Sequence, residues 1–168
     1  MKRLLVTAVL IALASVASGQ QTILLVRHAE KATEANESSV PLSEAGSARA
    51  ARLAEILRSA GVTAVYATDT VRARRTGEPL AKAAGLEVRI YPPKDPNGKP
   101  APRLLLDRLK KEEPHGVVLV VGHSNTVPEI LAALGYAEKV EIPATQFDDL
   151  FVVVPRATGP PTVVRLKY

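Results

Sequence analysis

Ile23-Leu24-Leu25-Val26-Arg27-His28-Ala29-Glu30-Lys31 is an apolar run that stops abruptly on charge. A continuous apolar run suits a strand buried on both faces of a sheet, as parallel strands are. Arg27 and His28 then emerge at the strand's carboxyl end, the side on which ligand crevices form in open α/β sheets. The pattern recurs later in the chain, where Val117-Val118-Leu119-Val120-Val121 runs into Gly122-His123-Ser124-Asn125. Two buried strands that each deliver a histidine to one rim define a candidate active site.

Strand and helix signals alternate outward from these two runs. Ala32 to Pro41 is polar and reads as a surface loop. Ser43 is placed to cap a helix running to about Ala60, with Leu42 before the cap and Gly61 as the stop. Ala50, Leu53, Ala54 and Leu57 recur at helical spacing and form its expected buried stripe. Val62 to Ala67 is a strand, and Val71 to Ala84 a helix in which Pro79 predicts a kink or break near Gly77. Leu86 to Ile90 is a short strand, followed by a proline-rich loop from Tyr91 to Pro102. Arg103 to Glu113 and Thr126 to Leu134 are helical, the second tolerating Pro128 in its first turn. Leu150 to Val154 and Thr162 to Leu166 close the chain as a hairpin across Gly159-Pro160-Pro161. This alternation predicts an α/β fold: a mostly parallel central sheet, helices on both faces and an antiparallel carboxyl-terminal edge.

The composition narrows the function classes. The 168 residues suit one domain, with 46% apolar and 23% charged residues. Four Tyr, two Phe and no Trp leave little for stacking on single-stranded nucleic acid. Cysteine is absent, which removes disulfides, a thiol nucleophile and thiolate metal sites. Lys2 and Arg3 precede an apolar stretch from Leu4 to about Val16, then Ala17-Ser18-Gly19. That is the pattern of a secretory signal over residues 1–19, with the mature domain at 20–168 and a periplasmic or secreted destination. The stretch falls short of the ~20 apolar residues of a membrane span, although an uncleaved anchor is the alternative. Removing Lys2 and Arg3 lowers the formal charge from +5 to +3. That mild excess suits a small anionic substrate or a solvated surface better than a duplex nucleic acid, and no membrane partner is expected once the signal is cleaved.

The chemistry centres on His28. A buried guanidinium beside it is costly unless it meets an anion, and the cation disfavours imidazolium. A neutral imidazole next to an anion clamp is what in-line attack on a phosphoryl group requires. At His123, Gly122 permits close backbone approach, and Ser124-Asn125-Thr126 open a helix whose N–H groups favour an oxyanion. Zinc held by Glu30 and the two histidines is a competing use. His115 is the remaining histidine, and it stands at the wrong end of its strand. Asp148 and Asp149 read as loop capping or an inter-element salt bridge.

Four segments resemble the histidine phosphatase superfamily, also called the phosphoglycerate mutase-like family. Leu25-Val26-Arg27-His28-Ala29-Glu30 resembles its Arg-His-Gly/Ala motif. Pro41-Leu42-Ser43-Glu44-Ala45-Gly46 is similar to the segment opening its first helix. Tyr66 to Thr76 resembles its Tyr-Ser-Ser-x-x-x-Arg-Ala-x-x-Thr segment, and Val121 to Asn125 its second histidine motif. The resemblance implies a phosphohistidine intermediate on His28, with phosphate held by Arg27, Arg72, His123 and Ser124 and with no cofactor or metal. Arg74 and Arg75 read instead as a solvated helix face. Lys31 and Glu34 depart from the family's mutases, which carry Ser and Asn at about these positions. The proton donor stays open among Asp95, in the region after the third strand where the family often places it, and Glu30 and Glu129. Asp95 reads equally as a turn former beside Pro96-Asn97-Gly98. An exported phosphatase acting on phosphomonoesters or phosphohistidine is therefore expected. The alternatives are an anion-binding module of the same fold that lacks turnover and a phosphomutase, which the short loops and open pocket disfavour.

Overall fold

The computed structural model describes residues 20–35 and 37–168, so the expected signal segment at residues 1–19 lies outside the described residues. The two apolar runs become β1 (Thr22–Arg27) and β4 (Val117–Gly122), which pair in parallel. With β2 (Val62–Ala67), β3 (Val88–Ile90), β5 (Asp149–Val154) and β6 (Thr162–Lys167) they form one six-stranded sheet in the order β3-β2-β4-β1-β5-β6. β3, β2, β4 and β1 run parallel, whereas β5 and β6 pair antiparallel. The fold class is the one expected.

Side-chain alternation on the central strands builds two cores. Leu24, Val26, Leu119 and Val121 face α1 (Glu44–Leu57) and α2 (Val71–Ala83). Ile23, Leu25, Val118 and Val120 face α3 (Pro102–Glu112) and α4 (Thr126–Ala133). Each fully buried aliphatic side chain contributes about 1.5–3 kcal/mol. This double burial explains why both runs are apolar at every position and not only at alternate ones.

The local signals explain most element ends. The Ser43 side chain accepts from Gly46 N and caps α1, whose buried residues include Ala50, Leu53, Ala54 and Leu57. A Cβ on Gly46 would lie 2.2 Å from the Glu30 carbonyl, so only glycine lets α1 start this close to the end of β1. α1 stops at Leu57 rather than Ala60, β3 starts at Val88 rather than Leu86, and α3 spans Pro102–Glu112.

Of the kink or break expected near Gly77, the break does not occur, since α2 runs unbroken from Val71 to Ala83. Pro79 cannot donate to the carbonyl of Arg75. Arg75 lies on the exposed side of the helix, where water can take that carbonyl. Gly77, on the buried side, packs on Val65, where a Cβ would meet a methyl at 2.8 Å. Asp149, with Asp148 beside it, forms the expected inter-element bridge: Asp149 accepts from Arg165 at 2.7 and 2.8 Å, and Lys167 lies 2.8 Å from Asp149 and 2.9 Å from Asp148. Among the described residues no helix is long and apolar enough to cross a membrane.

Candidate active site

The register of β1 on β4 sets Arg27 opposite Gly122, so the next residues, His28 and His123, are neighbours at the carboxyl rim. Their rings lie 5.1 Å apart, edge to face at 67°. His28 is almost completely buried, at 4% exposure, and its Nδ1 stands 2.7 Å from the Ala29 carbonyl. A carbonyl only accepts, so Nδ1 carries the proton and Nε2 bears the lone pair. Arg72 Nε donates to that Nε2 at 3.2 Å. Burial, then the nearby His123, Arg72 and Arg27, lower the His28 pKa to about 3, against the raising effect of the Ala29 hydrogen bond. His28 is thus neutral near neutral pH, in the tautomer an Nε2 nucleophile needs.

The other three members of the expected cluster surround it. Arg27 is 7% exposed and projects from the end of β1. Its Nη1 donates to the carbonyls of Pro143, Ala144 and Gln146 at 2.8, 3.0 and 2.8 Å, and its guanidinium lies 4.0 Å over the Phe147 ring. One edge of the fork is therefore fixed, while Nε has no partner among the described residues. Arg72, also 7% exposed, lies in the first turn of α2 and donates to the Glu37 carbonyl at 2.9 Å. Burial lowers the pKa of both arginines. His123 is held through Nε2 by Thr68 Oγ1 at 2.8 Å, and its backbone N–H donates to Thr126 Oγ1 at 2.7 Å. A Cβ on Gly122 would lie 2.6 Å from that hydroxyl, which accounts for the glycine. Burial, Arg72 and Arg27 lower the His123 pKa to about 4.

These residues line an open cleft of about 310 Å³, shared with Lys31, Lys94, Ser124, Asn125 and Glu129. Ser124 thus stands where expected, at the start of α4. Lys31 Nζ donates to the carbonyls of Glu34 and Ala35, each at 3.1 Å, which ties it to its own loop. Arg74 and Arg75 are exposed away from the cleft, Arg75 pairing with Glu78 at 2.8 Å.

The three carboxylates proposed as proton donors separate clearly. Glu30 turns to Arg49, which donates to it at 2.9, 3.0 and 2.7 Å. Arg49 and Arg27 hold its pKa below the ordinary value against the opposing effect of burial. It does not line the cleft, so neither proton donation nor the zinc reading that needed it fits its position. Asp95 Oδ1 accepts from the backbone of Asn97 and Lys99, both at 2.9 Å, and acts as the turn former. Glu129 alone of the three lines the cleft, and burial raises its pKa, partly offset by Lys94. His115 is exposed ahead of the amino-terminal end of β4. No group of three His, Cys, Asp or Glu among the described residues could hold a metal ion.

Sequence reasoning missed the backbone clamp on Arg27 and the hydroxyls of Thr68 and Thr76. Thr76 Oγ1 accepts from Ala29 N at 3.0 Å and donates to the Arg72 carbonyl at 2.8 Å, coupling β1 to α2. Both threonines fall within the Tyr66 to Thr76 segment, so a signal for them was present. The Pro143–Phe147 loop carries none, because its contribution is largely through carbonyls.

The fold and site define an α/β protein with two neutral imidazoles and two guanidiniums gathered at the carboxyl rim of its sheet, an arrangement suited to a tetrahedral oxyanion. Residues 23–93 match the family model of the histidine phosphatase superfamily (branch 1). Over this stretch, less than half of its length, the chain is similar to the histidine phosphatase superfamily. It is 35% identical over 75 residues to the probable phosphoglycerate mutase GpmB of Photorhabdus laumondii subsp. laumondii. That match covers 42% of this chain and about a third (35%) of the relative. The protein histidine phosphatase SixA, solved with tungstate, superposes with a TM-score of 0.70 at 22% identity, covering 87% of this chain and 96% of that one. Mycobacterial glucosyl-3-phosphoglycerate phosphatase, solved with inorganic phosphate, gives 0.67 at 16% identity, covering 88% and 96%. At these identities the two superpositions are likenesses of fold. His123 and Glu129 lie beyond the family-matched residues and join the site through the fold.

Proposed function

We propose that the protein is an exported phosphohydrolase that cleaves small anionic phosphomonoesters, or phosphohistidine, through a covalent phosphohistidine on His28. The observation that carries this reading is the His28 ring itself. Its Nδ1–H is fixed on the Ala29 carbonyl, and its Nε2 lone pair faces the Arg72 guanidinium. Arg27 and Arg72 neutralise the transferring phosphoryl oxygens, and His123, with Ser124 at the start of α4, completes the cradle. Phosphoryl transfer needs little beyond positioning and charge stabilisation, which these residues can supply without a metal. Export is supported by Lys2-Arg3 and the apolar stretch after it.

The test is hydrolysis of p-nitrophenyl phosphate by the wild type and by His28→Ala in the presence of chelator. Release of nitrophenol by the wild type, and its loss in a variant that retains its circular dichroism, supports the reading. Turnover unchanged in His28→Ala contradicts it, and loss in chelator contradicts metal independence. Phosphate binding without hydrolysis points instead to an anion-binding module.

A further inference from the structure

We infer that Glu129 is the proton donor to the leaving group, which equips the site for alkyl phosphomonoesters rather than only for substrates with good leaving groups. The inference rests on the proposed role of His28 and places the donor on α4, not in the loop after β3. That loop contributes Asp95, whose Oδ1 is committed to the backbone of Asn97 and Lys99. Glu30 is committed to Arg49. Glu129 stands in the first turn of α4, and α4 follows directly from His123-Ser124-Asn125, so histidine and carboxyl share one wall of the cleft.

The surroundings suit the role. The cations lining the cleft are Arg27, Arg72, Lys31 and Lys94, and its imidazoles are His28 and His123. Behind α4, Tyr91 is buried, and burial pushes its phenol pKa up, so it stays neutral. Burial of Glu129 favours its protonated form, and Lys94, which lines the same cleft, moderates that effect. The cleft thus offers one half-buried acid among cations that hold a phosphoryl group.

Nε2 of His28 attacks phosphorus while the bond from phosphorus to the ester oxygen breaks, and that oxygen takes the proton of the Glu129 carboxyl. Water then attacks the phosphohistidine and gives its proton to the Glu129 carboxylate. The P–N electron pair returns to Nε2, inorganic phosphate leaves, and both residues are restored.

The experiment compares wild type with Glu129→Gln on two esters, glycerol 2-phosphate, which expels an alkoxide, and p-nitrophenyl phosphate, whose leaving group needs little protonation. The expected result is a loss of ~100-fold or more in kcat on the alkyl ester, a change of about threefold or less on the aryl ester, and loss of the basic limb of the alkyl-ester pH profile. Equal losses on both esters, or none on either, overturn the inference. A wild type that forms no phosphohistidine overturns the proposed function and this inference together. A wild type that forms it while Glu129→Gln treats both esters alike overturns this inference alone.

Discussion

Arg72 Nε donates to Nε2 of His28 at 3.2 Å, so a fixed cation caps the lone pair of the proposed nucleophile. That hydrogen bond exists only while Nε2 is unprotonated. Histidine-selective nitrogen NMR is expected to show Nε2 of His28 unprotonated down to about pH 4, consistent with its pKa of about 3. An Nδ1-unprotonated ring at pH 7 would contradict the assignment.

Replacing Arg72 removes both the cap and a proposed phosphoryl clamp. Arg72→Ala is expected to lower kcat by ~10²–10³, the usual loss for one donor at a developing charge. Arg72→Lys restores little, because an ammonium cannot reproduce the planar fork that reaches both His28 and the Glu37 carbonyl. Steady-state kinetics on p-nitrophenyl phosphate check this, and full rescue by lysine would show that only charge matters.

Thr68 acts through His123. Its hydroxyl is completely buried and lies 2.8 Å from His123 Nε2. Thr68→Val keeps the shape and leaves that nitrogen without its partner, which costs about 1–3 kcal/mol of stability. Denaturant titration reads the loss. The positioning role predicts in addition a shifted acid limb in the pH profile of kcat/KM, with Thr68→Ser restoring both.

Acid stability follows from the two imidazoles. Their folded pKa values, about 3 and about 4, lie below the ordinary 6.5. Between these limits the unfolded chain binds more protons, so stability falls as pH drops below 6.5. The slope is at most about 1.4 kcal/mol per pH unit for each histidine. Urea melts at pH 7 and 5 are expected to show the loss, and His123→Asn to reduce it. Identical midpoints at both pH values would contradict the burial of neutral imidazoles.

The close approach at Gly46 gives a stability prediction independent of catalysis. A Cβ 2.2 Å from the Glu30 carbonyl must push α1 away from the end of β1. Gly46→Ala is expected to cost about 1–3 kcal/mol, the usual range for overpacking, with Ser47→Ala as an exposed neighbouring control.

The sheet and the histidine pair were legible because their signals are local. Two fully apolar runs require burial on both faces, and each ends on its histidine at the same rim. Pro79 causes no break in α2, because the cost of a proline depends on whether water can reach the freed carbonyl, which sequence does not show. The choice among Glu30, Asp95 and Glu129 was closed to sequence for a similar reason. Adjacency to a catalytic residue does not say which way a carboxylate turns, and Glu30 turns to an arginine on α1. The carbonyl clamp on Arg27 had no signature because backbone groups are common to every residue.

Trapping the intermediate tests the central claim most directly. Wild-type protein mixed with radiolabelled substrate and quenched within milliseconds in alkali is expected to retain label on His28, identified by peptide mapping and lost on acid treatment, with none in His28→Ala. Label on another residue, or single-turnover hydrolysis with no labelled protein at any time, would contradict the phosphohistidine mechanism.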